Sequence, residues 1–132
     1  MTLDGKQVCV VDDNIDAAES LSLLFEAEGY AVHTAHNGLE GLAMAREVRP
    51  FLAILDIGMP GMSGYELAAR LRGEFGDAIR LIAVTGWGQP NDVERALAAG
   101  FDNHFTKPAD PGILLSLVRE YDSRATHPSP LQ

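Results

Sequence analysis

Short apolar runs alternate along this chain with stretches in which apolar residues recur every three or four positions. Runs of the first kind fit strands, and the second pattern fits amphipathic helices. Val8 to Val11 predicts a first strand. From about Asn14, the residues Ala18, Leu21, Leu24 and Phe25 recur at helical spacing until Gly29 stops the helix. Tyr30 to Ala35 predicts a second strand. Asn37 then caps a helix whose inward face takes in Leu39, Leu42 and Ala43 before Pro50 ends it. Phe51 to Leu55 predicts a third strand, apolar throughout, as expected where both faces of a sheet are covered.

Ser63 and Glu66 have the spacing of a capping box ahead of a helix carrying Leu67 and Leu71. Ile79 to Val84 predicts a fourth strand. Pro90 suits the first turn of a helix with Val93, Ala96 and Leu97, closed near Gly100. Phe101 to Thr106 predicts a short fifth strand. Asp110 and Pro111 make a cap and first-turn pair for a last helix, with Ile113, Leu114, Leu117, Val118 and Tyr121 on one side.

Strand followed by helix, repeated without an internal sequence repeat, predicts an α/β fold. Right-handed crossovers would give a parallel sheet with helices on both faces. A length of 132 residues suits one domain. That domain is expected over residues 1–122, with the polar, proline-punctuated SRATHPSPLQ at 123–132 as a frayed tail.

Composition narrows the classes. No apolar run reaches membrane-spanning length, and the opening MTLDGKQ lacks the pattern of a signal peptide. The single cysteine, Cys9, cannot form an internal disulfide, and within KQVCVV it reads as a buried structural thiol. These features lead us to expect a cytoplasmic protein without a membrane partner. The formal charge of −9 argues against direct nucleic-acid binding, because phosphate contacts need clustered Lys and Arg.

In a parallel sheet the C-terminal ends of all strands share one edge, where ligands bind in open α/β folds. After the first strand come Asp12, Asp13 and Asn14; after the third, Asp56; after the fourth, Thr85 and Gly86; after the fifth, Lys107 and Pro108. Each has a bland explanation alone. The Asp-Asp-Asn run could cap a helix, Asp56 could serve a turn, Thr85 is ordinary, and Lys107 could be a solvated side chain. Those explanations leave the shared edge to coincidence. Three converging carboxylates would repel by about 1–4 kcal/mol per pair at intermediate to high dielectric, so they call for a cation. Oxygen-only donors favour Mg²⁺. Asp56 would then be both a ligand and a nucleophile able to attack phosphorus, with Lys107 and the Thr85 hydroxyl offsetting phosphoryl charge. Gly58, Gly61 and Gly64 follow at three-residue spacing, as either a phosphate-cradling loop or a turn beside the acid.

The motifs VVDDN, LDIGMPGMSG, Thr85-Gly86 and Lys107-Pro108 stand in an order that resembles the receiver domain of two-component response regulators, over roughly Lys6 to Tyr121. The resemblance implies a flavodoxin-like (βα)5 sandwich with strand order 2-1-3-4-5. It also implies Asp56 as phosphoacceptor and Asp12, Asp13, Asp56 and the Gly58 carbonyl as Mg²⁺ ligands. Thr85 and Lys107 correspond to the residues that contact phosphoryl oxygens, and a cis peptide is expected before Pro108. A histidine kinase or histidine phosphotransfer domain would donate the phosphoryl group. Such a domain is no enzyme beyond catalysing its own phosphorylation and dephosphorylation. With no output domain in the chain, the signal would pass to a downstream protein partner at the fourth helix, fifth strand and fifth helix.

Two positions depart from the commonest family pattern. His104 stands where Tyr or Phe is frequent, which makes it a candidate pH-linked or polar switch or, on the plainer reading, an edge-strand histidine. Trp87 stands where a large side chain would shield the phosphoryl group from water or simply pack against a helix. Segments such as TGWGQP and AAGFDNHFTKP look like receivers of hybrid sensor kinases, which raises a receiver unit within a larger kinase as an alternative. A phosphohydrolase using an aspartyl phosphate intermediate fits less well, since the second acid it needs falls at Gly58. A nucleotide-binding module fits less well again, since VVDDN is acidic where a phosphate loop is glycine-rich.

Overall fold

The computed structural model describes residues 7–86, 93–107 and 109–126, with side chains described through residue 122. Strands β1 (Gln7–Val11), β2 (Ala31–Ala35), β3 (Leu52–Asp56), β4 (Arg80–Thr85) and β5 (Asn103–Thr106) alternate with helices. The helices are α1 (Ile15–Ala27), α2 (Gly38–Val48), α3 (Gly64–Phe75), α4 (Val93–Ala99) and α5 (Pro111–Thr126). All strand pairings are parallel, in the order β2-β1-β3-β4-β5. The expected (βα)5 flavodoxin-like sandwich is therefore the observed one, and β1 and β3 lie side by side at the point where strand order reverses.

Alternate residues of each strand feed two cores. Cys9, Val11, Leu55 and Ala83 face α2, α3 and α4, while Val8, Val10, Ile54 and Ile82 face α1 and α5. The central strand β3 is buried at every position, which is why its sequence is an unbroken apolar run until Asp56.

Helix starts follow the capping residues expected. Asn14 accepts from the Ala17 amide, Asn37 from Glu40, and Ser63 with Glu66 closes a reciprocal capping box. Asp110 Oδ1 accepts from the amides of Gly112 and Ile113. Gly29, at φ +97°, supplies the left-handed step after α1.

Three inward faces differ from expectation. On α2 the buried positions are Gly38, Gly41, Leu42 and Ala45, while Leu39 is 70% exposed and Ala43 is exposed. A β-carbon on Gly41 would lie 2.9 Å from a Val11 methyl, so this helix approaches the sheet through small residues. On α4 only Ala96 is buried, with Val93 and Leu97 turned outward. On α5, Leu114, Val118 and Tyr121 are buried and Ile113 is exposed. The fifth strand begins at Asn103, because the Phe101 amide closes α4 on the Ala96 carbonyl instead. Helix α5 continues past Asp122 to Thr126; Pro90, Pro108 and residues 127–132 lie outside the described residues.

Candidate functional site

The C-terminal edge of the sheet gathers five of the side chains singled out in the sequence. Asp12 follows β1, Asp56 ends β3, Thr85 ends β4 and Lys107 follows β5, with Asp13 beside them on the solvent side. Asp12, Asp56 and Thr85 are the buried polar side chains of the protein's described part, at 4%, 6% and 1% exposure, in a fold that otherwise buries apolar groups. One carboxylate oxygen from each of Asp12, Asp13 and Asp56 lies within 4.8 Å of the other two.

Local backbone geometry explains the placement. Asn14, not either aspartate, caps α1, and its own amide donates to Asp12 Oδ1 at 2.9 Å. The helix cap thus leaves both acids available. After β3, the Ile57 amide donates to the Val84 carbonyl, which carries the chain one residue past Asp56 along β4. The Gly58 amide then donates to Asp56 Oδ1 at 3.3 Å. Gly61 takes φ +76°, and Gly64 brings the start of α3 against β3, where a β-carbon would stand 2.4 Å from the Asp56 carbonyl oxygen. The three glycines shape a turn around the acid; none of these contacts forms an amide cradle for phosphate.

Lys107 is fixed from both ends. Its amide donates to the Thr85 carbonyl at 2.7 Å, and its ammonium lies 2.8 Å from Asp12 Oδ2 and 3.8 Å from Asp56 Oδ1. The closer partner is Asp12, so the single ammonium is shared unequally between the two buried acids. Burial, followed by the charge of Asp12, pushes the Asp56 carboxyl up to about 7; Lys107 acts in the opposite direction. The site therefore carries more negative charge than its own cation balances. Among the described residues the Thr85 hydroxyl makes a single, long 3.5 Å bond to the Phe105 carbonyl, which leaves it able to turn toward another acceptor.

A hard divalent cation fits this donor set. The donors are carboxylate oxygens, Asp13 is exposed enough to keep water in the shell, and the acids are close enough to share one ion. Asp12, Asp13 and Asp56 are the residues that would hold Mg²⁺.

His36 follows β2 on the same edge and escaped notice in the sequence, although the criterion that selected the other strand-end residues would have found it. Its Nδ1 lies 3.1 Å from the Asp12 carbonyl oxygen. An apolar groove of about 730 Å³ also runs from Asp12, Asp56 and Lys107 between α1 and α5, with Leu21 and Leu24 on one wall. Its walls come from two helices distant in sequence, so no local pattern announces it. His104 lies away from the acids on β5 beneath α4, paired in register with Ala83. Trp87 lies outside the described residues.

Comparison with known proteins agrees with this geometry. The family model described as the response regulator receiver domain matches residues 8–119. An uncharacterized 14.6 kDa protein of Leptolyngbya boryana is 37% identical, the alignment covering 91% of this chain and 92% of that protein. Sporulation initiation phosphotransferase F of Bacillus subtilis is 32% identical over 89% of this chain and 94% of its own length. The transcriptional regulatory protein CseB of Streptomyces coelicolor is 34% identical over 94% of this chain, which spans only 52% of that relative. Among solved structures, a CheY-like receiver domain protein from Methanospirillum hungatei superposes with a TM-score of 0.83 at 32% identity, covering 92% of this chain and 97% of that one. The signal receiver domain of a histidine kinase from Syntrophus aciditrophicus gives 0.82 at 33% identity, with 94% and 95% coverage. Motifs, strand order and the acidic edge thus converge with these matches: the chain belongs to the receiver-domain family of response regulators in two-component systems.

Proposed function

We propose that this protein is a phosphorylation-dependent switch that accepts a phosphoryl group on Asp56. The observation that carries the reading is the meeting of Asp12, Asp13, Asp56, Thr85 and Lys107 at one sheet edge, with three carboxylates sharing a space under 5 Å across. An Asp56 oxygen attacks phosphorus, a P–O bond forms, and the P–N bond to the donor's imidazole breaks with its electron pair going to nitrogen. Lys107 faces both acids and is positioned to follow the negative charge onto the phosphoryl oxygens. The Thr85 hydroxyl exchanges its long carbonyl contact for a phosphoryl oxygen. Asp12, Asp13 and Asp56, with the Gly58 carbonyl, would hold Mg²⁺. When bound, that ion supplies positive charge to offset the carboxylates and the transferring group. Water attack on the same phosphorus returns Asp56 and phosphate, so the chemistry is confined to the protein's own phosphorylation and dephosphorylation.

The donor is a histidine kinase or histidine phosphotransfer domain. The apolar groove between α1 and α5 supports this, because it leads a partner's helix to the acid. The signal leaves through a protein partner at α4, β5 and α5, in the cytoplasm and without direct nucleic-acid contact. The receiver domain, expected over residues 1–122, is taken to run on to Thr126, where α5 ends. A second reading, a receiver unit working within a hybrid sensor kinase, is favoured by the likeness to the Syntrophus histidine kinase receiver.

Incubation with Mg²⁺ and acetyl phosphate, followed by intact-mass measurement, tests the reading. One phosphoryl adduct is expected in wild type and none in Asp56→Asn. No adduct on the folded wild type, or an adduct that survives in the variant, overturns it. A phosphatase substrate panel under the same conditions should show no turnover.

A further inference from the structure

Helix α4 is lightly seated. Of Val93–Ala99 only Ala96 is buried, while Val93 and Leu97 are 48% and 63% exposed. Beside α3 it sets the Arg95 guanidinium 4.1 Å over the Tyr65 ring, and its small residues Ala96 and Ala99 pack on the core that α3 shares. Its C-terminal end is held much more firmly. The Gly100 carbonyl accepts from the Arg72 side chain at 2.7 Å, Phe101 N–H returns to Ala96, and Gly100 itself takes φ +105°. Among the described residues the helix is thus pinned at its C-terminal end with a glycine beside the pin, the arrangement of a hinged element.

Under it lies His104, in a cleft of about 340 Å³ lined by Val93, Ala96, Leu97, Phe101, Asp102 and Asn103. Its Nε2 is buried and has no hydrogen-bond partner among the described residues. A neutral imidazole can tolerate this position. An imidazolium carries an N–H on both ring nitrogens, and a buried charged donor without an acceptor is strongly disfavoured. Its relief lies in reaching water, and the lightest obstacle in the way is α4.

We propose that His104 and α4 form a proton-operated seat: the neutral imidazole lets α4 close against β5, and protonation lifts α4 about the Gly100 end. The surroundings offer the proton little help. Asp102, the charged residue lining the cleft, is already engaged by Arg72 at 3.0 Å, by Arg80 at 3.6 Å and by the Leu81 amide. On α4, Glu94 and Arg95 are exposed and lie outside the cleft lining, and the β4 residue in register is Ala83. Burial accordingly holds the His104 imidazole below its ordinary 6.5. The sign follows. The closed form binds fewer protons than the open form below pH 6.5, so closure is complete above that value and is lost as pH falls. Because His104 shares its sheet face with Thr85, the device would make the surface beside the phosphorylation site sensitive to acidification. It does not depend on phosphorylation of Asp56.

Amide hydrogen exchange by NMR on the unphosphorylated, metal-free protein between pH 7.5 and 5.5 tests the proposal. Protection factors in α4 should hold above 6.5 and then fall by up to about tenfold per pH unit, relative to those of α3. His104→Phe should abolish that fall, and His104→Gln serves if the Phe variant does not fold. Unchanged α4 protection across the range in wild type overturns the proposal. So does a fall that persists in the variant, which would place the proton on Asp56, His33 or His36.

Discussion

Asp56 combines two demands that oppose each other at a single side chain. In the proposed role of nucleophile and metal ligand it has to be ionised, yet burial and Asp12 hold its proton up to about 7 instead of the ordinary 3.8. Between those values the folded protein keeps a proton that the unfolded chain has released. The contribution of Asp56 to stability therefore falls as pH rises from about 4 to 7, and stays low above that. Asp56→Asn keeps the shape and the acceptor oxygen while removing the charge. In the presence of a chelator it should be more stable than wild type by roughly 1–3 kcal/mol at pH 8, with the gain vanishing near pH 4. Urea denaturation at the two pH values measures this. Equal stability at pH 8 would mean that Lys107 already balances both buried acids.

Elements show where sequence patterns carry structural information and where they fail. Capping residues and strand ends were legible because their causes are local: an oxygen three residues before an amide, or an apolar run stopped by a charge. The site was legible for the same reason, since parallel strands bring their C-terminal residues to one edge by topology alone. The inward faces of α2 and α4 were not. Choosing the largest apolar residues selects Leu39 and Leu97, whereas the inward positions are Gly41 against Val11 of the sheet, Gly38 against the Met62 side chain, and Ala96. Packing distance belongs to the tertiary structure and leaves no period in the sequence. Two glycines of α3 put this to a test. A β-carbon on Gly64 would meet the Asp56 carbonyl at 2.4 Å, while one on Gly73 meets nothing within 4 Å. Gly64→Ala should cost about 1–3 kcal/mol or more through forced displacement of α3 from β3. Gly73→Ala should instead stabilise by about 0.5–1 kcal/mol through helix propensity. Opposite shifts in the urea midpoint are the expected outcome; equal shifts would show that α3 moves away from Asp56 without resistance.

At the scale of the whole molecule, the acidic edge sits in a chain of net charge −9, so any cation relieves some repulsion. A specific site has to be separated from that general screening. Screening depends on ionic strength and leaves little preference among cations once strength is matched. A bound ion stabilises by mass action, by about 2.7 kcal/mol when its concentration is a hundred times its dissociation constant. Thermal unfolding in MgCl₂ and in NaCl of equal ionic strength, each against a chelated control, distinguishes the two. Wild type should melt several degrees higher in Mg²⁺ than in the matched sodium salt. Asp13→Asn should lose most of that difference while keeping its melting temperature in sodium, because Asp13 is the exposed member of the cluster and carries no core packing. A Mg²⁺ increment that is no larger than the sodium one, or that survives in Asp13→Asn, would assign the stabilisation to the surface as a whole and leave the three carboxylates without their ion.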